Sequence, residues 1–421
     1  MTTVDDVACP HRAGDDPRAA ERVVAESARA FSVFDPALAA DPYPALGALR
    51  SRCPVARSDM FGGFWVVSRY EHIRRVLVDP VTYSSVETVI PWPKMDQRIS
   101  NIPIAIDPPG HTAYRQILGR VFGPGRVGRL EPALRDHARG LITGMLAGGG
   151  PLDFRGDVAV PLSALALLEL LGLPAGDLQL LLGFNAAILH DQFSPDPDVR
   201  AEFVRNWSPR IISYLEAAVR LRRDARFPPE DGLTDIVRSR FRGERDLSVA
   251  EIVSMVSLLI GTGIHTTRAE LCLHVAHLGE NPAQWRQLVD HPARIPAAVE
   301  EMLRAYSAIT LSRVVTRDTE LGGVPIRAGD RVQLLLPSAG RDDSVFPDAQ
   351  EVRFDRGPTV HLAFGGGPHR CPGAGLARLT LRIVLEELSN ALPAFRVASA
   401  RRAFGLAMTL DELVLESGDP R

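Results

Sequence analysis

The chain has 421 residues, of which 45% are hydrophobic and 24% are charged, a composition typical of a globular protein with a large core. Its net charge of −3 gives no electrostatic reason to expect nucleic acid or an anionic membrane as the main partner. Its four cysteines, at positions 9, 53, 272 and 371, are far apart and form no CxxC pair. This spacing argues against a disulfide framework and a zinc knuckle, and it fits a reducing compartment.

The first 30 residues are polar and rich in alanine and arginine, and we expect a flexible tail at 1–30 before one domain at 31–421. The start, MTTVDDVACPHRAGDD, lacks the apolar stretch of a signal peptide. The leucine-rich segment PLSALALLELLGLP is bounded by prolines and contains Glu169, so it is a poor membrane span. We therefore expect a cytoplasmic protein.

The order of patterns along the chain predicts a mainly α fold with a small β-rich part. DPALAADPYPALGALR predicts a proline-interrupted entry into a short helix, and FGGFWVVSRYEHIRRVL predicts a turn, a strand and a helix. Residues 79–110 form a long loop with many prolines, of a kind that often carries function. Helical periods dominate from 111 to 310, and a β-hairpin with a further strand follows at 319–340.

One helical stretch has an unusual centre, LLIGTGIHTT at residues 258–267. It holds two glycines, three threonines and a histidine within an otherwise apolar pattern. Glycine costs about 1 kcal/mol relative to alanine inside a helix, and threonine and histidine are mediocre helix formers. This composition therefore requires a specific role.

The segment FGGGPHRCPG places Cys371 before Pro372 and an amphipathic run, so the cysteine lies at or just before a helix N-terminus. Free N–H groups there favour an anion, which makes a thiolate reasonable. The residues alone leave three interpretations open. Cys371 is a buried structural cysteine, a nucleophile with His369 as its nearby base, or a ligand of haem iron.

This segment resembles the cysteine loop of the cytochrome P450 family, FxxGx[RH]xCxG. The pattern is met by Phe364, Gly367, His369, Cys371 and Gly373. The resemblance covers about residues 35–421 and is nearest in pattern to soluble bacterial members of the camphor-hydroxylase type. It implies the cytochrome P450 fold and a haem b whose iron is bound by the Cys371 thiolate. It also implies that Phe364 packs beside the sulfur and that His369 reaches a haem propionate.

Other segments match further motifs of this family. EEMLR places Glu301 and Arg304 on one helix face, and it resembles the ExxR ion pair, for which Arg353 is the expected third member. The HxxxR pattern is met by His111 and Arg115. By resemblance these two residues bind the haem propionates, together with Arg313 and with His361 as a further candidate. Without the cysteine loop, each residue would be interpreted as a solvated charge.

The resemblance implies a monooxygenase that inserts one oxygen atom from O2 into an apolar small molecule, a natural product in our interpretation. Electrons come from a separate ferredoxin or flavodoxin with its reductase, because the chain has no second cofactor domain. The arginines expected to meet such a partner, unless they are merely solvated, are Arg120, Arg126, Arg129, Arg370 and Arg378. We expect a monomer.

The 258–267 segment corresponds to the family pattern [AG]Gx[DE]T[TS] at residues 262–267. Gly263 and Thr266 match, and by resemblance they serve oxygen activation together with residue 265. Thr262 and His265 depart from the pattern, since His265 replaces the usual acid. Three roles for His265 stay open: proton relay, substrate contact or packing.

The substitution at 265 is the only support for an alternative function. That alternative is oxidative coupling, dehydrogenation or peroxide-driven oxidation on the same haem, and non-catalytic haem binding is a third. The substrate pocket is predicted from the 86–106 loop, the unusual helix, the 309–311 segment and a C-terminal turn. Its residues are Val86, Ile90, Trp92, Ile104, Leu259, Thr262, Ile309, Thr310, Leu311 and Met408.

Overall fold

The computed structural model describes residues 28–86, 101–188 and 196–418. The helices are α1 (Pro36–Ala40), α2 (Tyr43–Arg52), α3 (Tyr70–Val78), α4 (Gly110–Val121), α5 (Pro124–Arg129), α6 (Glu131–Ala147), α7 (Val160–Leu171), α8 (Leu178–Ala187), α9 (Pro197–Asp224), α10 (Gly232–Val237), α11 (Val249–Glu280), α12 (Pro282–Asp290), α13 (Ile295–Tyr306), α14 (Leu336–Ala339) and α15 (Ala374–Ala391).

The strands are two to nine residues long. They are β1 (Val55–Ser58), β2 (Phe64–Val67), β3 (Tyr83–Ser84), β4 (Leu152–Asp153), β5 (Arg240–Phe241), β6 (Arg245–Asp246), β7 (Thr310–Val315), β8 (Thr319–Leu321), β9 (Val324–Ile326), β10 (Arg331–Leu335), β11 (Phe395–Ala403) and β12 (Thr409–Ser417). The mainly α fold class with a small β part is confirmed.

The chain divides into two compact units, and the first contains residues up to 92, 300–370 and 402–409. Its five-stranded sheet has the order β1-β2-β10-β7-β3. Strands β2 and β10 are parallel, with Trp65 beside Val332, whereas β10 and β7 are antiparallel, with Arg313 opposite Val332. Helix α3 buries Ile73 and Leu77 in the same apolar core as the sheet, since these residues recur on one helical face.

The second unit contains residues 93–299, 371–401 and 410–421, and its central element is the 32-residue helix α11. This helix begins with a capping box. The Ser248 hydroxyl accepts from the Glu251 N–H, and the Glu251 carboxylate accepts from the Ser248 N–H at 2.8 Å. Helices α7, α9 and α15 pack against α11, as does a π-helical turn at Arg155–Ala159. The β4, β11 and β12 strands form a separate sheet.

Most local predictions are confirmed. The turn, strand and helix appear as residues 60–63, β2 and α3, and the predicted hairpin is β8–β9 followed by β10. The long loop at 79–110 contains the short strand β3, and residues 87–100 within it lie outside the described part. The predicted tail lies outside it as well, except for residues 28–30.

Candidate active site

The glycine-rich loop before Cys371 lies against helix α3 within the first unit. Gly365 and Gly367 have φ angles of +68° and +62°, a region that side chains rarely adopt. A Cβ on Gly367 would overlap the carbonyl oxygen of Leu77. Only glycine therefore allows this close approach, which fixes the course of the loop as far as the short turn at Gly367–His369.

Cys371 is half-buried and lies two residues before Gly373, the N-cap of α15. The prediction that it precedes a helix is confirmed, although Pro372 stands before the N-cap instead of in the first helical turn. A Cβ on Gly373 would lie 3.8 Å from the Cys371 Sγ and 3.5 Å from the Phe122 ring. Among the described residues, no group of three or more His, Cys, Asp or Glu side chains is arranged to hold a metal ion. One accessible thiol would be enough to hold haem iron, because the porphyrin supplies further ligands.

Glu301 and Arg304 form a fully buried ion pair on α13, in the first unit. The Arg304 Nε and Nη2 each donate to a Glu301 oxygen at 2.8 Å, and the guanidinium also donates to backbone carbonyls, including Ala349 at 2.9 Å. Burial alone would raise the pKa of Glu301, but hydrogen bonds from Arg304, from the Arg353 backbone and from Arg356 hold that pKa below its ordinary value. Glu301 is therefore ionised, and hydrogen bonds with residues 349–356 hold the ion pair in place.

The third member of this cluster differs from the prediction. Only the backbone N–H of Arg353 reaches Glu301, at 2.9 Å, and its guanidinium pairs with Asp348 and Asp355. Arg356 supplies the side chain instead, donating from Nε to both Glu301 oxygens at 2.9 and 3.1 Å. Because EVRFDR contains two arginines three residues apart, the sequence offered both candidates and could not decide which one folds back.

Two predicted propionate ligands lie on α4 in the second unit. The helix begins at Gly110, directly after two prolines, so His111 and Arg115 share one face as predicted. His111 is buried, and Arg115 is half-buried. The arrangement presents a ring nitrogen donor and a guanidinium on the same side of one helix.

The remaining propionate candidates lie in the first unit and differ in their surroundings. Arg313 is buried on β7 and donates from Nη1 to the Ser312 carbonyl at 2.7 Å. His369 is half-buried in the turn before Cys371. Both ring nitrogens of His361 are engaged, by Glu300 at 3.2 Å and by the Ala363 N–H at 3.3 Å. His361 therefore pairs with an acid, and the geometry does not support its predicted role at a propionate.

The centre of α11 is accessible, whereas both flanks of the helix are buried. Thr262 is exposed and His265–Arg268 are half-buried, between flanking segments whose residues are nearly all buried. The Thr266 hydroxyl donates to the Thr262 carbonyl at 2.9 Å, and the helix continues without a break. Threonine hydroxyls thus supply a polar, reachable stretch within an apolar core helix.

Gly263 lies where α11 packs against α7. A Cβ at this position would lie 2.9 Å from the Leu167 side chain on α7. The absent side chain therefore allows α7 and α11 to pack closely. Asn185 was missed by the sequence. It is buried on α8 and donates from Nδ2 to the Gly261 carbonyl at 2.9 Å.

His265 accepts a hydrogen bond at Nδ1 from Nη2 of Arg268, at 2.7 Å. A guanidinium has only donors, so Nδ1 must be unprotonated and Nε2 carries the ring proton. Burial, followed by the charges of Arg268 and Arg155, lowers the pKa of His265 to about 3. The imidazole is therefore neutral at neutral pH, which favours the packing or ligand-contact role over proton relay.

The predicted pocket residues fall in both units. In the first unit, the Met408 N–H donates to the Ala308 carbonyl at 2.7 Å, so Met408 lies beside the segment 309–311. Ile309 and Leu311 are half-buried there, Thr310 is buried, and Val86 is exposed. In the second unit, Ile104 is half-buried and Leu259 is buried. Ile90 and Trp92 lie outside the described residues.

A cleft of about 750 Å³ opens beside α4 and α10 in the second unit. Its lining includes four arginines, Arg120, Arg238, Arg240 and Arg242. Of the arginines predicted to meet a partner, Arg120 lines this cleft and donates to the Ser239 hydroxyl at 2.9 Å. Arg126 is paired with Asp235 instead, which reduces its value as a docking charge.

Comparison with known proteins agrees with the resemblance to the cytochrome P450 family. The family described as Cytochrome P450 matches residues 294–401. "Probable cytochrome P450 127A1" of Sinorhizobium fredii is 34% identical over 341 residues, covering 80% of this chain and 78% of that protein. The 20-oxo-5-O-mycaminosyltylactone 23-monooxygenase of Streptomyces fradiae is 31% identical, covering 83% and 82%. A mutant of P450 EryK in complex with erythromycin B has a TM-score of 0.80 and 30% identity, covering 93% and 99%.

The fold is that of the cytochrome P450 enzymes, and the chain belongs to the cytochrome P450 family. It is a bacterial monooxygenase that binds haem iron through a cysteine thiolate, acts on a small molecule and uses redox partners. By length and composition α11 is apolar enough to cross a membrane, but 56% of its apolar stretch is buried, as in the core helix of a soluble protein.

Proposed function

We propose that Cys371 supplies the thiolate and that the enzyme transfers one oxygen atom to an apolar natural product. The observation that carries this proposal is the half-buried Cys371 just before α15, reached through a loop in which a side chain at Gly367 would overlap the Leu77 carbonyl oxygen. When bound, a thiolate-ligated haem supplies the activation of O2. The test is the carbon monoxide spectrum of the reduced protein, which we expect to have a band at about 450 nm. Cys371→Ser should lose that band, and its persistence would contradict the assignment.

We also propose which residues bind the cofactor. His111 and Arg115 on one face of α4, together with Arg313 and His369, are proposed to bind the propionates, since a buried carboxylate needs a cationic or donor partner. Phe364 is proposed to pack beside the sulfur. Thr266, accessible on α11, is proposed to accept a hydrogen bond from water during catalysis, since its hydroxyl proton is donated to the Thr262 carbonyl. Residues 31–421 are proposed to act as one catalytic domain.

The substrate class is supported by the apolar residues of the predicted pocket and by the relatives. The Streptomyces fradiae relative is named for a tylactone derivative, and P450 EryK is described with erythromycin B. Ile104, Ile309, Leu311 and Met408 are apolar side chains, so a largely hydrocarbon skeleton is expected. The test is a titration of the ferric protein with macrolides, terpenoids and long-chain acids. A shift of the Soret band on binding supports a small-molecule pocket, and no shift with any class opposes it.

The redox partner is proposed to be an acidic ferredoxin or flavodoxin that works with its own reductase. The four arginines of the 750 Å³ cleft support this choice, because they present cationic side chains on one surface of the second unit. Arg238→Gln and Arg242→Gln together should slow the transfer of the first electron and weaken its salt dependence. Arg220→Gln, on the exposed side of α9, serves as the control. We also propose that the protein is a monomer and that it is located in the cytoplasm.

A further inference from the structure

Both flanks of Thr262 on α11 are covered by neighbouring elements. Gly261 and Gly263 precede and follow it in the chain, so they project about 100° to either side of it around the helix axis. A Cβ on Gly261 would lie 2.9 Å from the side chain of Ile188, the residue that follows α8. A Cβ on Gly263 would lie 2.9 Å from the side chain of Leu167 on α7. The two glycines therefore mark the directions in which α11 packs closely.

The accessible side of α11 at this level is the side of Thr262. Ile260 and Ile264, each two positions away, project from the opposite side of the helix and are 0% and 1% exposed. Thr262 itself is exposed, and Thr266, four positions later, shares its face and is half-buried. The two threonines therefore stand one turn apart on the open face of the helix.

The hydroxyl protons of these threonines are both used within the helix. The Thr262 hydroxyl donates to the Leu258 carbonyl at 2.7 Å, and the Thr266 hydroxyl donates to the Thr262 carbonyl at 2.9 Å. A hydroxyl has one proton and two lone pairs, so each oxygen can still accept a hydrogen bond but has no proton left to donate. Thr262 thus presents an exposed acceptor, which a carbonyl or ether oxygen of a ligand cannot satisfy.

We propose that Thr262 is a specificity-determining residue whose hydroxyl oxygen accepts a hydrogen bond from a hydroxyl or N–H group of the substrate. The enzyme then acts on an apolar molecule that carries such a donor near the oxidised atom. This inference rests on the proposed function, in which Thr266 on the same face takes part in catalysis. A ligand without a donor would cover the Thr262 oxygen and leave it unsatisfied, which opposes its binding.

The proposal accounts for the departure at position 262. The family pattern has alanine or glycine there, and neither has a side-chain oxygen. Thr262 adds a hydroxyl and a methyl group to the open face, one turn before Thr266. The hydroxyl is held in one orientation by its bond to the Leu258 carbonyl, so its free lone pair has a fixed direction. A fixed acceptor of this kind favours one placement of the substrate over others.

The first test compares alcohols with their methyl ethers on the ferric holoenzyme. The pairs are borneol with bornyl methyl ether and dodecan-1-ol with 1-methoxydodecane, and in each pair only the alcohol can donate. Dissociation constants are measured from the blue shift of the Soret band, which reports a ligand beside the iron and not one bound to it. The ratio of the ether constant to the alcohol constant should be about fivefold to tenfold larger in the wild type than in Thr262→Val, which has nearly the same shape.

Two further variants serve as controls for that ratio. Thr262→Ser keeps the hydroxyl and should keep the wild-type ratio, as should Thr267→Val, whose side chain projects from another side of α11. An equal ratio in the wild type and Thr262→Val for both pairs would overturn the proposal. The absence of a shift with all four compounds would overturn it as well.

The second test separates substrate binding from a role within the helix. A fall of several degrees in the Tm of Thr262→Val, with an unchanged ratio, would show that the hydroxyl serves only the Leu258 carbonyl, and it would overturn the proposal. The carbon monoxide spectrum distinguishes the two hypotheses. A wild type without the thiolate band contradicts the proposed function, whereas a normal band without the alcohol preference contradicts only the role of Thr262.

Discussion

The side-chain amide of Asn185 donates to the carbonyl oxygen of Gly261 at 2.9 Å, joining α8 to the accessible centre of α11. The Gly261 carbonyl, next to Thr262, thus accepts a hydrogen bond from a side chain that lies 76 residues earlier in the chain. The polar stretch of α11 is thus held from outside by a neighbouring helix as well as by its own threonine hydroxyls.

Asn185→Ala should lower the free energy of unfolding by about 1–2 kcal/mol, because the change removes a buried hydrogen bond and leaves a small cavity. Urea unfolding of the holoenzyme measures the change. Asn206→Ala on α9 is the matched control, since Asn206 is exposed and its bond to Glu202 is long, at 3.4 Å. Equal stability of the two variants would mean that the bond to Gly261 does not contribute.

Arg356→Gln should be far more damaging than Arg353→Gln. Arg356 is nearly buried and its guanidinium contacts Glu301, so its loss weakens a buried ion cluster and should cost about 3 kcal/mol or more. The Arg353 side chain forms exposed pairs, so its loss should cost less than about 1 kcal/mol. Haem content per protein and urea unfolding measure both effects. If Arg353→Gln were the more harmful change, Arg353 would be the third member of the Glu301–Arg304 cluster, as the sequence predicts, and the role given to Arg356 would be wrong.

Glu251 should make a pH-dependent contribution to stability. Hydrogen bonds from Arg245, Tyr114 and the Ser248 cap outweigh burial and lower the pKa of Glu251 from 4.5 to about 2. A carboxylate whose pKa is lower in the folded state stabilises the protein above its unfolded pKa, and this stabilisation is lost as the pH falls through the folded value. The difference in unfolding free energy between wild type and Glu251→Gln should therefore be on the order of 2 kcal/mol near neutrality and shrink from about pH 4.5 towards pH 2.

Glu244→Gln is the control for that measurement, because Glu244 is exposed in the β5–β6 turn. It should show no comparable change over the same pH range. A wild-type advantage over Glu251→Gln that stays constant down to about pH 2 would contradict the lowered pKa.

His265→Asp should raise the Tm of the holoenzyme, because a carboxylate at this position would form an ion pair with the Arg268 guanidinium, which donates to the His265 ring at 2.7 Å. His265→Ala should leave the product formed per NADH within about twofold of the wild type, since the ring is neutral and its Nδ1 is occupied by Arg268. Thr266→Ala should lower that ratio, with Thr267→Ala as the neighbouring control. A large loss in His265→Ala would instead support the proton relay predicted from the sequence.

The local patterns of the sequence were sufficient to predict the secondary-structure elements and the motifs. Proline and glycine positions predicted where α4 and α15 begin, and the spacing of EEMLR predicted that Glu301 and Arg304 share a face, because helical period and turn chemistry depend on residues close together in the chain. The accessible centre of α11 was likewise visible in the residues of LLIGTGIHTT.

The tertiary structure decided which partners meet. It chose Arg356 over Arg353, placed Gly263 against Leu167 and brought Asn185 to Gly261. None of these contacts follows from spacing, because each joins residues far apart in the chain, and only the packing of whole elements determines which side chains approach. The sequence by itself determined the family and showed that a histidine stands where the family pattern has an acid. The fold decided that this histidine accepts a hydrogen bond from the Arg268 guanidinium.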